Sequence, residues 1–519
     1  MNLGILFDRA IKQHREKIAI VDSPLLISFS ELGRRANRVA NALHKLGIEK
    51  GERAALLMPN CHQAVEIDAA LFKTGVVKVP LNARLSSREL LAMIADSGAC
   101  ILFVHVVLAE MLLQDIELPA TVRHVVIVEG ERAAYSSYAS LLEASSDEPI
   151  ETDIAPDDTY ALFYTSGTSG VLKAGMLTHK NWIVLTRVYL SRGGTDDASN
   201  ANAAYVAPIT HAAGGAILAN LIRGSKNILF RKFDPGDFLR AVEKQRITDV
   251  LLIPVMINML LERPEIKECD LSSLKTITYG AAPMSPERIK QALEAFGPVL
   301  VQGYGQTESS AIISKLGKEE HALVNDPARS HLISSVGLPD FECEVRVVNE
   351  DGQDVPTGQI GEVIVRGDNV MKGYWNAPEL TKDTIRNGWL HTRDMGRFDE
   401  DGYLYLVDRK SDMIITGGFN VYPTEVENVL YRHPAVYEVA VVSIPDPKWG
   451  EAIKAAVVLR PGTSATAEEL IEFCRQTLAH YKAPKSIDFL SELPKSAVGK
   501  ILRRVIREPY WEKADRRIG

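Results

Sequence analysis

A chain of 519 residues exceeds what one hydrophobic core serves, so two or more domains are expected. Its 46% hydrophobic and 24% charged residues are the proportions of a soluble globular protein. A formal net charge of -8, with basic clusters such as Arg503 and Arg504 answered by Glu508 and Glu512, argues against general nucleic-acid binding.

The first residues, MNLGILFDRAIKQHREK, have no basic segment ahead of an apolar one. No apolar run reaches the roughly 18 residues that span a bilayer, so a cytoplasmic protein without an integral membrane segment is expected. From Glu31 to Leu46, apolar residues at Leu32, Ala36, Val39, Ala40 and Leu43 trace one helical stripe, with Ser30 as its cap and Gly47 as its stop. Residues 54–58 read as a buried strand, the turn at Pro59 and Asn60 leads into a helix to about Lys73, and 76–80 resumes as strand. This βαβ alternation continues to about residue 340 and predicts an α/β region, after which strand-rich 343–348 and 361–365 predict a β subdomain. Beyond Asp408 the pattern restarts as an α+β domain, with a helix from about Thr424 to Arg432, strands at 436–444 and 452–459, a helix at 467–478 and a strand around Ile487. The charged DRKSD segment separates strand-like 403–407 from apolar 413–415, giving a large domain at 1–408, a junction at 409–412 and a small domain at 413–519. Five cysteines (Cys61, Cys100, Cys269, Cys343, Cys474) show no short spacing, which implies buried thiols in a reducing compartment rather than a disulfide framework or a zinc site.

The most informative segment is YTSGTSGVLK at 164–173. Hydroxyls of Thr165, Ser166, Thr168 and Ser169 offer donors to phosphate oxygens, Gly167 and Gly170 let backbone amides approach the same anion, and Lys173 adds a point charge. The apolar strand expected at 159–164 places this loop at a strand's carboxyl end, where α/β folds bind ligands. It is not a Walker loop, because the lysine follows the second glycine by three residues and Ala174 comes next. Alone, the segment fits a surface loop equally well. Four more segments change that balance: YGAAP at 279–283, QGYGQTES at 302–309, the block from Trp389 to Glu427, and PKSAVGKILRR at 494–504. In this order and spacing the five resemble the core motifs of adenylate-forming enzymes, the superfamily of acyl-CoA synthetases, nonribosomal peptide adenylation domains and beetle luciferases. The resemblance covers nearly the whole chain.

The resemblance implies a ligase that joins a carboxylic acid to AMP, releasing pyrophosphate, and then passes the acyl group to coenzyme A. Its substrates would be ATP, the acid and CoA, with Mg²⁺ as the metal. The 164–173 loop would hold the β- and γ-phosphates, Glu308 would ligate Mg²⁺, and Lys500 would bridge carboxylate and α-phosphate. Asp394 would accept both ribose hydroxyls, and Arg409 would reach ribose or phosphate oxygens. Gly280, Ala281 and Ala282 would let adenine lie against backbone, with Tyr304 stacked on its other face and Gly305 and Thr307 beside it. The small, mobile domain would rotate about Ser411 and bring Gly417 and Gly418 to the pantetheine arm of CoA. Read singly, each of these residues also suits a turn, a core or a solvated surface, and their joint appearance favours the site.

An acyl pocket is implied around His211, Ala212, Gly214, Tyr279 and Gly303, with His211 as a gate between carboxylate and thiol; a satisfied core histidine is the alternative. These residues add no fixed charge, so an apolar acid is favoured, either a medium- or long-chain fatty acid or an aryl acid of the cinnamate or benzoate type. The chain departs from the family pattern at Leu172 and Ala174 around the lysine, at Arg393 where glycine is common, at Ser411, and at Ile415 where luciferases and plant aryl ligases carry lysine. Two rivals remain: a stand-alone adenylation enzyme that loads a carrier protein, and a nucleotide-binding scaffold without turnover. Either a monomer or a homodimer is compatible with the sequence.

Overall fold

The runs at Arg53–Leu57, Val77–Pro80 and Ile101–His105 are apolar almost throughout, and the structure buries them on both faces as adjacent parallel strands. It is a computed structural model that describes residues 1–114, 117–166, 172–192, 201–282, 284–311, 313–409, 412–495 and 501–511. Those runs belong to an eight-stranded sheet ordered Gly373–Tyr374, Leu172–Thr178, Thr159–Ser166, Val77–Pro80, Arg53–Leu57, Ile101–His105, His124–Val128 and Ser136–Ser137. A nine-stranded sheet runs Leu338–Pro339, Ser314–Leu316, Leu300–Tyr304, Thr276–Gly280, Asp249–Leu252, Asn202–Tyr205, Lys226–Leu229, Ile18–Asp22 and Leu25–Ser28. Its middle strands are parallel. Helices between the two sheets share one apolar core, to which the sheets contribute Leu56, Phe103 and Tyr160 on one side and Ile20, Ala203 and Tyr205 on the other.

The helix expected from Glu31 starts earlier, at Phe29, and ends at Lys45. Its cap is Ser28 rather than Ser30, because the Ser28 hydroxyl accepts the Glu31 amide at 3.2 Å and Phe29 is thereby tucked into the core as the first helical residue. Gly47 ends the segment with φ +68, as its position implied.

The expected β subdomain is an antiparallel sheet of Cys343–Val348, Gly361–Gly367, Trp389–Phe398, Ile385–Arg386 and Leu404–Arg409. After it, Phe419–Val421, Ile414–Thr416, Gly450–Leu459, Val436–Asp446 and Ser486–Phe489 form a separate five-stranded sheet. Helices Pro423–Leu430 and Ala467–Arg475 cover this sheet through Val426, Leu430 and Leu470 packed on Val441 and Val457. The second helix stops three residues short of expectation, and the chain turns again at His480–Lys482. Among the described residues no helix is long and apolar enough to cross a membrane. None of the five cysteines is in a disulfide; Cys61, Cys100 and Cys474 are buried as expected, whereas Cys269 and Cys343 are only half-buried.

Candidate active site

Strand Thr159–Ser166 reverses into Leu172–Thr178, so that Thr165 lies opposite Lys173. The turn between them, with Gly167, Thr168, Ser169 and Gly170, lies outside the described residues, as does the side chain of Ser166. At its root, the Thr165 hydroxyl is shielded from solvent and has no hydrogen-bond partner among the described residues. A buried hydroxyl without a partner is costly, and an incoming phosphate oxygen would satisfy it.

The two elements expected to hold phosphate and metal, the lysine strand and the turn of Glu308, come from distant parts of the chain and are joined by a short strap, residues 369–375. Strand Leu300–Tyr304 runs into a turn at Thr307–Ser309 that carries Glu308. The Met371 amide donates to the Glu308 carbonyl at 2.9 Å, the Trp375 amide to the Ala174 carbonyl at 2.8 Å, and Tyr374 pairs with Gly175. The strap therefore clips Glu308 to the lysine strand. The Lys173 ammonium lies 2.6 Å from the Tyr374 hydroxyl, which lies 2.6 Å from Glu308 Oε1, and the ammonium and carboxylate are 3.5 Å apart. Burial first, and then the Glu308 charge, hold the Tyr374 phenol well above its ordinary range.

At the neighbouring strand ends, Gly280 and Gly303 are register partners. A Cβ on Gly280 would lie 2.4 Å from the Gly303 carbonyl oxygen, so the close approach demands glycine. Ala281 follows with φ +66, and Ala282, Gly305 and Thr307 are all partly exposed at this rim. The Tyr304 hydroxyl donates to Asp394 Oδ2 at 2.7 Å, and the Gln306 amide reaches the same oxygen at 3.3 Å. Asp394 lies opposite Arg409 in the register of Trp389–Phe398 and Leu404–Arg409; the Arg409 side chain lies outside the described residues. Arg393 has φ +62, a left-handed backbone that accounts for glycine being common at this position in the family it resembles. Its guanidinium pairs with Asp383 at 2.8 Å.

His211 follows strand Asn202–Tyr205, with its Nδ1 3.0 Å from the Thr210 hydroxyl and its ring edge-on to Phe163 at 6.4 Å. Burial, and secondarily the Lys78 ammonium, push its pKa down to about 4, so the ring is neutral at physiological pH. Gly214 is required by the turn, since a Cβ there would lie 1.9 Å from the Ile209 carbonyl oxygen. The side chain of Ala212 lies outside the described residues. Tyr279 is 1% exposed and faces the core of the nine-stranded sheet. There it meets His321 Nε2 at 2.9 Å; because His321 Nδ1 gives its proton to the Gly317 carbonyl, the tyrosine must be the donor.

In the small sheet, Gly417 and Gly418 form the two-residue turn between Ile414–Thr416 and Phe419–Val421, with φ +59 and +84. Exposed Phe419, Trp449 and Tyr481 surround it, and Lys448 and Lys482 lie over the Trp449 and Tyr481 rings at 4.8 and 5.9 Å. Ser411 and Lys500 lie outside the described residues. The flanks of both are described, and Arg503 joins them: it bonds Glu427 at 2.6 Å, Asp408 at 3.3 Å and Asp412 at 3.5 Å. Tyr374, Gln306, the aromatic rim and Arg503 are the residues that sequence reasoning missed. Tyr374 sits in an apolar GYW step with no periodic signal, whereas Arg503 and Gln306 lay inside motifs already singled out.

Comparison with known proteins bears on this arrangement. The family model described as AMP-binding enzyme matches residues 7–375, and that of the AMP-binding enzyme C-terminal domain matches residues 425–500. The chain is 40% identical over 488 residues to a feruloyl-CoA synthase of Amycolatopsis sp, covering 93% of this chain and 94% of that one. It is 34% identical over 530 residues to a medium/long-chain-fatty-acid–CoA ligase of Mycobacterium tuberculosis, covering 99% and 91%. Among solved structures, the amide bond synthetase McbA of Marinactinospora thermotolerans superposes with a TM-score of 0.88 at 30% identity, covering 98% of this chain and 100% of that one.

Proposed function

The chain belongs to the AMP-binding enzyme family, as an AMP-forming acid–CoA ligase, and we propose that the acid it activates is an aryl acid of the cinnamate type. The observation that carries this choice is the 40% identity to a feruloyl-CoA synthase. Fatty acids are the second reading, favoured by the 34% identity to a fatty-acid–CoA ligase across nearly the whole chain.

ATP, the acid and CoA are the substrates. In the first half-reaction a carboxylate oxygen attacks the α-phosphorus and the bond to the bridging oxygen breaks, so that pyrophosphate leaves and acyl-AMP remains. In the second, the CoA sulfur attacks the acyl carbon, AMP departs with the electron pair of the broken C–O bond, and the thiol proton is lost. The first step brings two anions together, so cations must be fixed in advance. In our reading Lys173 and the hydroxyls from Thr165 to Ser169 hold the β- and γ-phosphates, and Lys500 spans the carboxylate and α-phosphate. Asp394 takes the ribose hydroxyls, presented by Tyr304 and Gln306, with Arg409 on the facing strand.

Glu308 suits Mg²⁺: a single, largely buried carboxylate with hard oxygen donors, beside phosphate oxygens, is the usual protein contribution to that ion's shell. When bound, the ion would neutralise phosphate charge as it develops. For the second step, the small domain turns about Ser411 and presents Gly417 and Gly418 to the pantetheine arm, with the exposed aromatic rim and its lysines beside them for the nucleotide end of CoA. His211, neutral and beside Phe163, gates the path from thiol to acyl carbon. The five free thiols, with burial pushing Cys61 up to about 12 and Cys474 to about 11, support a reducing, cytoplasmic setting.

The test is pyrophosphate and AMP release across fatty, cinnamic and benzoic acids, with and without CoA. Cinnamate-dependent turnover stimulated by CoA is expected. A preference for fatty acids would replace the aryl reading, and acid-dependent pyrophosphate release unmoved by CoA would point to a carrier-protein or amine acceptor.

A further inference from the structure

We infer that Tyr374 is a positioning residue of the ATP site, whose hydroxyl holds Lys173 and Glu308 oriented before the nucleotide and its metal arrive. The inference rests on reading Lys173 as a phosphate ligand and Glu308 as the metal carboxylate.

The directions of both hydrogen bonds are fixed by the groups themselves. An ammonium only donates and a carboxylate only accepts, so the phenol accepts a hydrogen bond from Lys173 at 2.6 Å and donates one to Glu308 at 2.6 Å. The hydroxyl bridges these two partners from one side, while the ammonium lies 3.5 Å from the carboxylate as an ion pair and 4.3 Å from the ring centre. The hydroxyl gives the ammonium and the carboxylate oxygen one shared, fixed reference point, so their orientation does not rest on the 3.5 Å ion pair alone.

The tyrosine is fixed independently of that pair. Its ring is 3% exposed in the core shared by the eight- and nine-stranded sheets, its amide donates to the Thr381 hydroxyl at 2.8 Å, and its backbone pairs with Gly175. Adjacent strap residues bond the Glu308 carbonyl and the Ala174 carbonyl, so the hydroxyl is referenced to both elements it bridges. This is how preorganisation is built: a packed side chain with fixed neighbours supports the groups that meet the substrate.

The discriminating variant is Tyr374→Phe, which keeps the ring and removes only the bridge. Calorimetric ATP binding in Mg²⁺ and in EDTA is measured alongside the KM for Mg·ATP in pyrophosphate release, thioester formation from supplied acyl-adenylate, and Tm. The expected result is Mg·ATP binding weaker by about 10-fold, the loss of one hydrogen bond to a charged group, with KM rising in parallel. Thioester formation from acyl-adenylate and Tm should stay at wild-type values. Lys173→Ala and Glu308→Gln serve as controls. If both controls weaken Mg·ATP binding and Tyr374→Phe does not, the role of Tyr374 is overturned and the reading of the site stands. If the controls leave binding unchanged, the reading itself falls and takes this inference with it. Equal losses in the two half-reactions with a lowered Tm would show a structural tyrosine only, and would also overturn it.

Discussion

Replacing Arg503 by methionine should unlock the joint between the small domain and the rest of the chain. Its guanidinium meets Glu427 at 2.6 Å, Asp408 at 3.3 Å and Asp412 at 3.5 Å, and so touches both flanks of the junction at 409–412. Glu427 is 8% exposed, and apart from Arg503 it accepts the Val441 amide at 2.7 Å. Removing one partner of a buried pair costs about 3–5 kcal/mol because the remaining charge is stranded. Burial already raises the Glu427 pKa, and Arg503 opposes that rise, so the variant's carboxyl titrates higher still. A folded value above the unfolded one means that the native state keeps a proton the unfolded chain gives up. Stability is then retained below the unfolded pKa and lost as pH climbs through the folded value, so the deficit should be larger at pH 8 than at pH 5. In a domain of about a hundred residues each kcal/mol moves Tm by roughly 4–8 °C, which places the small-domain transition at least about 12 °C lower. Scanning calorimetry of Arg503→Met, Glu427→Gln and the double variant at both pH values checks this, with the double variant expected to recover part of the loss. A shift of only a few degrees, equal at both pH values and additive with Glu427→Gln, would refute the reasoning.

His211 should show an NMR titration near 4 rather than 6.5, and activity should show no break near neutrality assignable to it. Because its folded pKa is depressed, its contribution to stability is present above the unfolded value and lost as pH falls toward the folded one. Gly280→Ala places a Cβ 2.4 Å from the Gly303 carbonyl and should cost about 1–3 kcal/mol, with a raised KM for ATP in pyrophosphate release. Gly417→Ala meets both a left-handed φ of +59 and the Trp449 ring at 2.7 Å, whereas Gly418→Ala meets only a φ of +84 in open space. The first should impair thioester formation from supplied acyl-adenylate more than the second, and both should spare adenylation.

The α/β and α+β regions were legible because apolar runs bounded by turn residues fix strands locally; 343–348 was placed to the residue. The cap at Ser28 was misjudged because two serines flank Phe29, and only the tertiary need to bury that ring selects between them. The motif residues were legible as chemistry, in that hydroxyls, glycines and one lysine together suggest phosphate. What joins them was not. Tyr374 reaches Lys173 and Glu308 across 201 and 66 residues of chain, and a hydrogen bond at such separation leaves no periodic trace. Conversely, Arg393 marked itself as a departure in sequence, and its φ of +62 supplies the physical reason.

Lys173, Tyr374, Glu308, Tyr304 and Asp394 all precede the junction and are held by contacts made within the region before it. Lys500 follows the junction, and Arg503, three residues on, ties its neighbourhood to both flanks. On the proposed reading, most of the phosphate and ribose contacts would therefore be in place whichever way the small domain is turned, while attack on the α-phosphorus would wait for Lys500. Lys500→Ala should accordingly bind Mg·ATP within a few-fold of wild type by calorimetry, release no pyrophosphate with acid present, and still form thioester from supplied acyl-adenylate. Loss of nucleotide binding in that variant would mean the phosphate site is assembled from both domains, and the separation argued here would fail.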